Sequence, residues 1–467
     1  MASQLSKEYR GLAWIASVAF FMQTLDVTIL NTSLPTIARD LNESPLNMQL
    51  TVISYALTVA LFMPLSGWIA DRYGTLKVFR YAVAMFVIGS IFCAFSSSLN
   101  VLILSRIVQG VGGAMMMPVA RLTLIKAVPK SQLLSAWNLM AMAGLTGPIM
   151  GPLLGGWLVT YMSWHWIFLI NIPVGVFGIV CARFYMPNLT GKASRFDIIG
   201  FVLFSGGIVL ATLGLDFVGE AARDKALACY FVVIGFLLVG SYVFYAKGKQ
   251  RVLFPLSVFR NSTFSLSMIG NILIRLSSAG VPFLLPLMLQ LGLGYPPDKA
   301  GMMMVPLAIS SIIMKPINTK IIVKFGYKKT LICVSVLLTL AILCLGLVGI
   351  YQQLWWSIIS IMFYGACISM IFSSVNTLMV SELKDDQVSA GTTLLSVVQQ
   401  IGISLGIAAA SVVLNLYYQH TAQGTGLIAN FSYTFFTLSV FGILSLVTFL
   451  FYRADVGAVM QNKRGKS

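Results

Sequence analysis

Residues 101–120 read VLILSRIVQGVGGAMMMPVA. As a helix, such a stretch rises 1.5 Å per residue and covers about 30 Å, the thickness of a bilayer's hydrocarbon core. One side chain does not suit hydrocarbon: Arg106. It stands about seven residues from the nearer end of the apolar span that begins at residue 99, roughly 10 Å in. An isolated charge at that depth costs several kcal/mol, so it needs a partner or a wet cavity.

The stretch is one of many. The chain has 467 residues, is 58% hydrophobic and only 10% charged, which is too little polar surface for a soluble domain of this size. Apolar stretches recur from end to end, so the class is an all-α polytopic membrane protein with no appended soluble domain. We expect fourteen spans: 11–34, 48–69, 77–97, 99–120, 134–159, 164–185, 197–216, 226–246, 262–290, 297–317, 329–350, 354–378, 390–416 and 431–452.

The formal charge of +17 would suit a nucleic-acid binder, but hydropathy places the basic residues in short loops between spans. With the N-terminus on the cytoplasmic side, only Arg39, Arg223, Lys225 and Lys299 fall outside. That asymmetry predicts both termini inside, which requires an even number of spans. The start, MASQLSKEYR, is not read as a signal peptide, because the apolar stretch after it carries Asp26. The six cysteines form no CxxC and read as apolar filler; with only His165 and His420 besides, no metal site is expected.

Two short basic loops look related. GWIADRYGTLK (67–77) follows the second span and NTKIIVKFGYKK (318–329) follows the tenth. Each holds a basic residue, an aromatic and a glycine: Arg72-Tyr73-Gly74 and Lys324-Phe325-Gly326. Repeated halves are the usual plan of secondary transporters. The expected layout is a six-helix half at 1–190, an inserted pair at 191–255 and a second half at 256–467. Gly67, Asp71, Arg72 and Gly74 are candidates for a conformational latch, with Asp71 clamping basic residues or a helix N-terminus in one state.

Asp26 is the acidic residue well inside a span, at a depth of about 10–12 Å that matches Arg106. The two are expected to share a polar cavity and to make contact. If protons drive transport, Asp26 is the carboxylate to carry one, with Arg106 favouring its charged form when close and releasing it when the two part. The alternative is that Asp26 only pins neighbouring helices. Arg275, in the ninth span, either attracts an anionic group of a substrate or makes a structural polar contact. Gln23, Asn31, Asn138, Asn271, Asn376 and Gln399 are candidates to line a substrate cavity. Gln399 and Gln400 are adjacent and cannot both face it.

The fifth span reads AGLTGPIMGPLLGG at 143–156. Gly147, Gly151 and Gly155 recur every fourth residue, with Pro148 and Pro152 after the first two. Small residues at that spacing allow close helix approach, and proline bends a helix. We expect a hinge whose flat face slides at the interface between the halves.

These residues resemble the major facilitator superfamily, in its fourteen-span drug:proton antiporter branch, and the MdtD group of bacterial multidrug resistance proteins. GWIADRYGTLK is similar to the family's loop motif, and RIVQGVGGA (106–114) to its fourth-span motif, whose arginine is assigned to proton coupling. GPIMGPLLGG resembles the antiporter motif, and LDVTILNTSLP (25–35) the acidic first-span motif. WHWIFLINIPVG (164–175) is similar to the sixth-span entry, except that His165 replaces the usual arginine. The resemblance implies proton-coupled efflux of small amphiphilic or drug-like molecules by alternating access. It implies no cofactor, a bacterial inner-membrane location and a monomer whose partners are small solutes, protons and the lipid bilayer. Members of the branch also export amino acids, siderophores and metal chelates, so a specific organic anion is the alternative cargo, and a proton-independent facilitator is a further one. An enzyme is not expected: no nucleophile–base pair, metal cluster or nucleotide loop is evident.

Overall fold

The computed structural model describes residues 6–191, 196–219, 225–249, 252–381, 383, 385–420 and 426–453, and every regular element among them is helical. Fourteen helices are long and apolar enough to cross a membrane. They are α1 (Lys7–Asp40), α2 (Pro45–Tyr73), α3 (Thr75–Ala94), α4 (Leu99–Ala127), α5 (Ser135–Tyr161), α6 (Trp166–Tyr185) and α7 (Ile198–Leu215). The remainder are α8 (Lys225–Ala246), α9 (Ser262–Gly292), α10 (Pro297–Phe325), α11 (Tyr327–Tyr351), α12 (Leu354–Met379), α13 (Gly391–Gln419) and α14 (Leu427–Leu450). The expected count and class hold. Several helices outrun their apolar cores, as α1 and α10 do, because hydropathy marks the hydrocarbon and the backbone stays helical into the polar interface. Arg223 lies outside the described residues.

Span α9 is not one regular helix. It runs from Ser262 to Ser278, turns, resumes over Val281–Leu287 and ends in a π-helical turn at Met288–Gly292. Pro282 is the cause: it has no N–H to give the carbonyl of Ser278 four residues back. Tyr364 fills the gap, donating its hydroxyl to that carbonyl at 2.8 Å.

The chain forms two compact units. The first comprises Met1–Phe196 with Tyr295–Val305. Here α4 lies between α2 and α3. Its glycines make this possible: a Cβ at Gly110 would meet Thr58, one at Gly112 would meet Ala82 and Phe86, and one at Gly113 would meet Tyr55. Helices α1 and α5 pack along their length. Gly147, Gly151 and Gly155 face Thr24, Thr28 and Ile29 of α1, so a side chain at any of them would push the two helices apart. The glycine stripe is thus used inside the first unit, against α1. The prolines Pro148 and Pro152 lie within a continuous α-helical segment, Lys130–Tyr161. Pro152 and Gly156 meet Gly301 and Pro297 of the segment that clusters with this unit.

The second unit comprises Asp197–Gly294 with Pro306–Ser467. The pair α7–α8 packs at close range, with Gly207, Gly214 and Gly235 against partner backbone, and α7 also packs on α13. These two helices cluster with the second unit rather than standing apart.

The two related loops share a backbone. Gly74 joins α2 to α3 with φ 95° and ψ 142°, and Gly326 joins α10 to α11 with φ 83° and ψ 162°. That region is essentially closed to other residues. The basic–aromatic–glycine triplets thus serve one purpose: a helix ends and the next begins on a single residue. A Cβ at Gly74 would also strike the Asn188 side chain, whereas one at Gly67 would meet nothing within 4 Å. Gly74→Ala should therefore cost about 1–3 kcal/mol, while Gly67→Ala, inside α2, should be neutral or gain up to about 1 kcal/mol. Thermal unfolding of the purified protein in detergent checks the contrast; equal effects would contradict it.

Candidate functional site

Arg106 and Asp26 are both fully buried, at 0% and 1% exposure, and they touch. Arg106 Nη1 donates to Asp26 Oδ2 at 2.6 Å. The guanidinium is fixed from α2 as well: Nε donates to the Thr51 carbonyl at 3.2 Å, and the cation lies 4.3 Å over the Tyr55 ring. One turn along α4, Gln109 joins the pair. Its Oε1 accepts from Arg106 Nη1 at 2.5 Å, and its Nε2 donates to Asp26 Oδ1 at 2.7 Å and to Ser90 Oγ at 2.8 Å. Asn171, in α6, donates to Asp26 Oδ1 at 2.9 Å and to Ser90 Oγ at 3.3 Å. The cluster therefore ties α1, α2, α3, α4 and α6 together.

Local sequence explains the convergence. Arg106 and Gln109 are three apart and share a helix face. Gly89 of α3 lies against the Gln109 backbone, where a Cβ would clash, so α3 comes close enough for Ser90 to reach the amide. An ionised carboxylate only accepts hydrogen bonds. Asp26 here meets three donors and, among the described residues, no acceptor. Burying two charges is costly, and hydrogen bonds to Arg106 Nε and Nη1 and to both Asp26 oxygens offset it, while Arg106 Nη2 is buried with no partner among the described residues. The two do not line an open cavity; they sit in a closed network.

The other anticipated residues fall in different places. Gln23, one turn before Asp26, donates weakly to the Gly113 carbonyl at 3.4 Å. Asn31 is buried, with its Oδ1 lacking a partner. Asn138 is exposed and lines a cavity of about 500 Å³ with Arg10, Trp14, Ser135, Leu139 and Met142. In the second unit, Asn271, Arg275 and Asn376 come together: Arg275 Nε donates to Asn271 Oδ1 at 2.8 Å, and Asn271 Nδ2 donates to Asn376 Oδ1 at 2.8 Å. Gln399 is half-buried on α13 and hydrogen-bonds to neither cluster.

At the α2–α3 turn, Asp71 pairs with Lys126 of α4 at 2.6 Å, both about one-third exposed. A pair so wet is worth up to about 1 kcal/mol, weak enough to open and re-form. Arg72 stacks on Trp68 and Tyr73 instead of joining it. The segment 187–191 laces onto the turn, with Thr75 Oγ1 donating to the Pro187 carbonyl at 2.9 Å and Gly191 N to the Asp71 carbonyl at 2.9 Å.

Gln109, Ser90, Thr51 and Tyr55 escaped the sequence reading as members of the site. Gln109 was within reach, being three residues from Arg106. Ser90 and the Thr51 carbonyl carry no sequence signal; only the fold brings them in.

If the buried pair is held as described, breaking it from one side should cost roughly 3–5 kcal/mol. Asp26→Asn and Arg106→Met alone should each lower stability by about that much. The double variant should lose clearly less than the sum, read by denaturation in detergent. Additive losses would mean the two charges are not coupled.

Known proteins resemble this chain over nearly its whole length. The sequence profile of the Major Facilitator Superfamily matches residues 16–407, and again 267–466. The chain is 50% identical over 442 residues to "Probable transport protein HsrA" of Haemophilus influenzae, covering 95% of each protein. It is 42% identical over 459 residues to "Putative multidrug resistance protein MdtD" of Pectobacterium carotovorum, covering 98% of each. Among solved structures, the POT family transporter PepTSo is similar with a TM-score of 0.73 at 14% identity, over 95% of this chain and 98% of that one. The D-xylose-proton symporter is similar with a TM-score of 0.70 at 11% identity, over 97% and 99%. At such identities the structures speak for the fold alone. Profile and relatives together establish a membrane transport protein and not an enzyme, and the chain belongs to the Major Facilitator Superfamily.

Proposed function

We propose that this protein exports small amphiphilic, drug-like molecules by alternating access, driven by protons through Asp26 and Arg106. The observation that carries the reading is the buried ion pair whose carboxylate meets donors only. A proton added to Asp26 removes the charge that holds Arg106 and brings an O–H with no acceptor beside it. The network cannot absorb that change without rearranging. Leaving a buried charge uncompensated costs roughly 3–5 kcal/mol, more than the few kcal/mol needed to move a two-state equilibrium decisively. Protonation from an acidic exterior would thus favour one conformation, and proton loss to the cytoplasm would restore the other.

Relatives named for multidrug resistance support drug-like cargo, and their bacterial hosts support the inner membrane. The basic loops support both termini on the cytoplasmic side. No cofactor enters the cycle, and the drawing of the Asp26 network from a single chain supports a monomer. The Asp71–Lys126 pair serves as the latch, and the α1–α5 glycine seam keeps the first unit rigid while it moves.

Everted membrane vesicles carrying a pH gradient give the test. Adding lipophilic cations, organic acids or amino acids should discharge the gradient for a transported solute, followed by a pH-sensitive dye. Vesicles with Asp26→Asn should show no discharge and no uphill accumulation. Full proton-coupled accumulation in that variant would remove Asp26 from the mechanism, and accumulation that survives collapse of the gradient would point to another energy source.

A further inference from the structure

The cluster around Arg275 has a polarity that the hydrogen bonds themselves dictate. A guanidinium can only donate. Arg275 Nε gives its hydrogen to Asn271 Oδ1, which fixes that oxygen as the acceptor and the Asn271 amide nitrogen as the donor. That nitrogen donates to Asn376 Oδ1, which fixes the second amide in turn. The Asn376 amide nitrogen then has no acceptor among the described residues. The terminal nitrogens of Arg275 make no hydrogen bond among the described residues, and ion pairs there join only Arg106 to Asp26 and Lys126 to Asp71. The unsatisfied groups at this point are therefore all donors.

The arginine is held in place to offer them. It is 6% exposed, and Asn271 is fully buried. The guanidinium lies 4.4 Å over the Phe372 ring. Gly402 of α13 lies against the arginine stem, where any side chain would displace it. A buried guanidinium without a counter-ion costs several kcal/mol. A site that keeps one, with its planar fork free and a second amide donor aligned, suits an oxyanion bound bidentately.

We infer that Arg275, Asn271 and Asn376 form a recognition point for an oxyanion, supplied by the carboxylate of the transported solute. Arg275 takes both carboxylate oxygens through its terminal nitrogens, Asn376 donates to one of them, and Asn271 positions both. The inference rests on the transport reading for calling that solute cargo, though the site itself does not. The same chemistry would hold a lipid headgroup phosphate, so the test separates the two sources.

Full-length protein in phosphatidylcholine nanodiscs would be titrated with 2-naphthoate, with its neutral amide and with 2-naphthylmethylammonium, and binding read by calorimetry. The carboxylate should bind at least about tenfold more tightly than the amide, the difference a charge-assisted bidentate pair supplies. Asn376→Asp places a carboxylate beside Arg275 and should erase that preference while leaving the thermal midpoint no lower. Arg275→Lys, which keeps the charge but loses the fork, should reduce the preference. Equal binding of the three probes, or an undiminished preference in Asn376→Asp, would overturn the inference. So would loss of the preference on moving to phosphatidylglycerol discs, which would assign the site to lipid. If 2-naphthoate binds as expected yet never discharges the vesicle gradient that other solutes discharge, the site stands as an anion site and its link to cargo falls. If no solute discharges the gradient while 2-naphthoate still binds, antiport fails and the anion site remains.

Discussion

Two opposite charges buried against each other set the terms for the first unit. Asp26 and Arg106 are in contact at 2.6 Å with essentially no solvent exposure, and neither is affordable alone. The pair is held from three further side chains and a carbonyl: the Thr51 carbonyl and Tyr55 ring on α2, Gln109 on α4 and Asn171 on α6, with Ser90 on α3 accepting from both amides. To bring so many short polar groups to one point, the helices must approach more closely than leucine-lined helices can. The glycines of α3 and α4 supply that approach, and those of α5 press α1 into place. The small-residue pattern and the buried charges are therefore one feature seen from two sides.

This arrangement gives the unit a discrete response. A closed network of directional bonds does not soften gradually when one proton is added. It keeps its geometry or it reorganises, as packed and hydrogen-bonded interiors do in general. The weak, half-wet Asp71–Lys126 pair at the α2–α3 turn has the opposite character. One contact is costly to break and the other cheap, which is what a coupling element and a latch respectively require.

Much of this was legible in the sequence because membranes impose simple rules. Span number followed from hydropathy and charge asymmetry, and the depth match of Asp26 and Arg106 followed from a fixed rise per residue. Helix ends were less legible, since hydropathy registers the hydrocarbon and not the hydrogen-bonded helix that continues past it. The glycine stripe at 147, 151 and 155 was recognised but its partner was not: spacing shows that a face is flat and says nothing of which helix fills it. Ser90 could not be foreseen, because a serine in an apolar span is ordinary until a glycine beside it lets another helix near. At Arg275 the three residues were named from sequence, yet the donor direction that runs through them emerges only from the bonds.

The central claim is that Asp26 changes protonation while the protein works, and infrared difference spectroscopy addresses it most directly. Purified protein in lipid would be stepped from alkaline to acidic pH, and the carbonyl stretch of a protonated buried carboxyl followed in wild type and Asp26→Asn. The account predicts a band that grows on acidification in wild type, is missing from the variant, and appears together with backbone amide changes that report the rearranged network. A carboxylate at Asp26 that stays ionised throughout the pH range over which transport runs would contradict it.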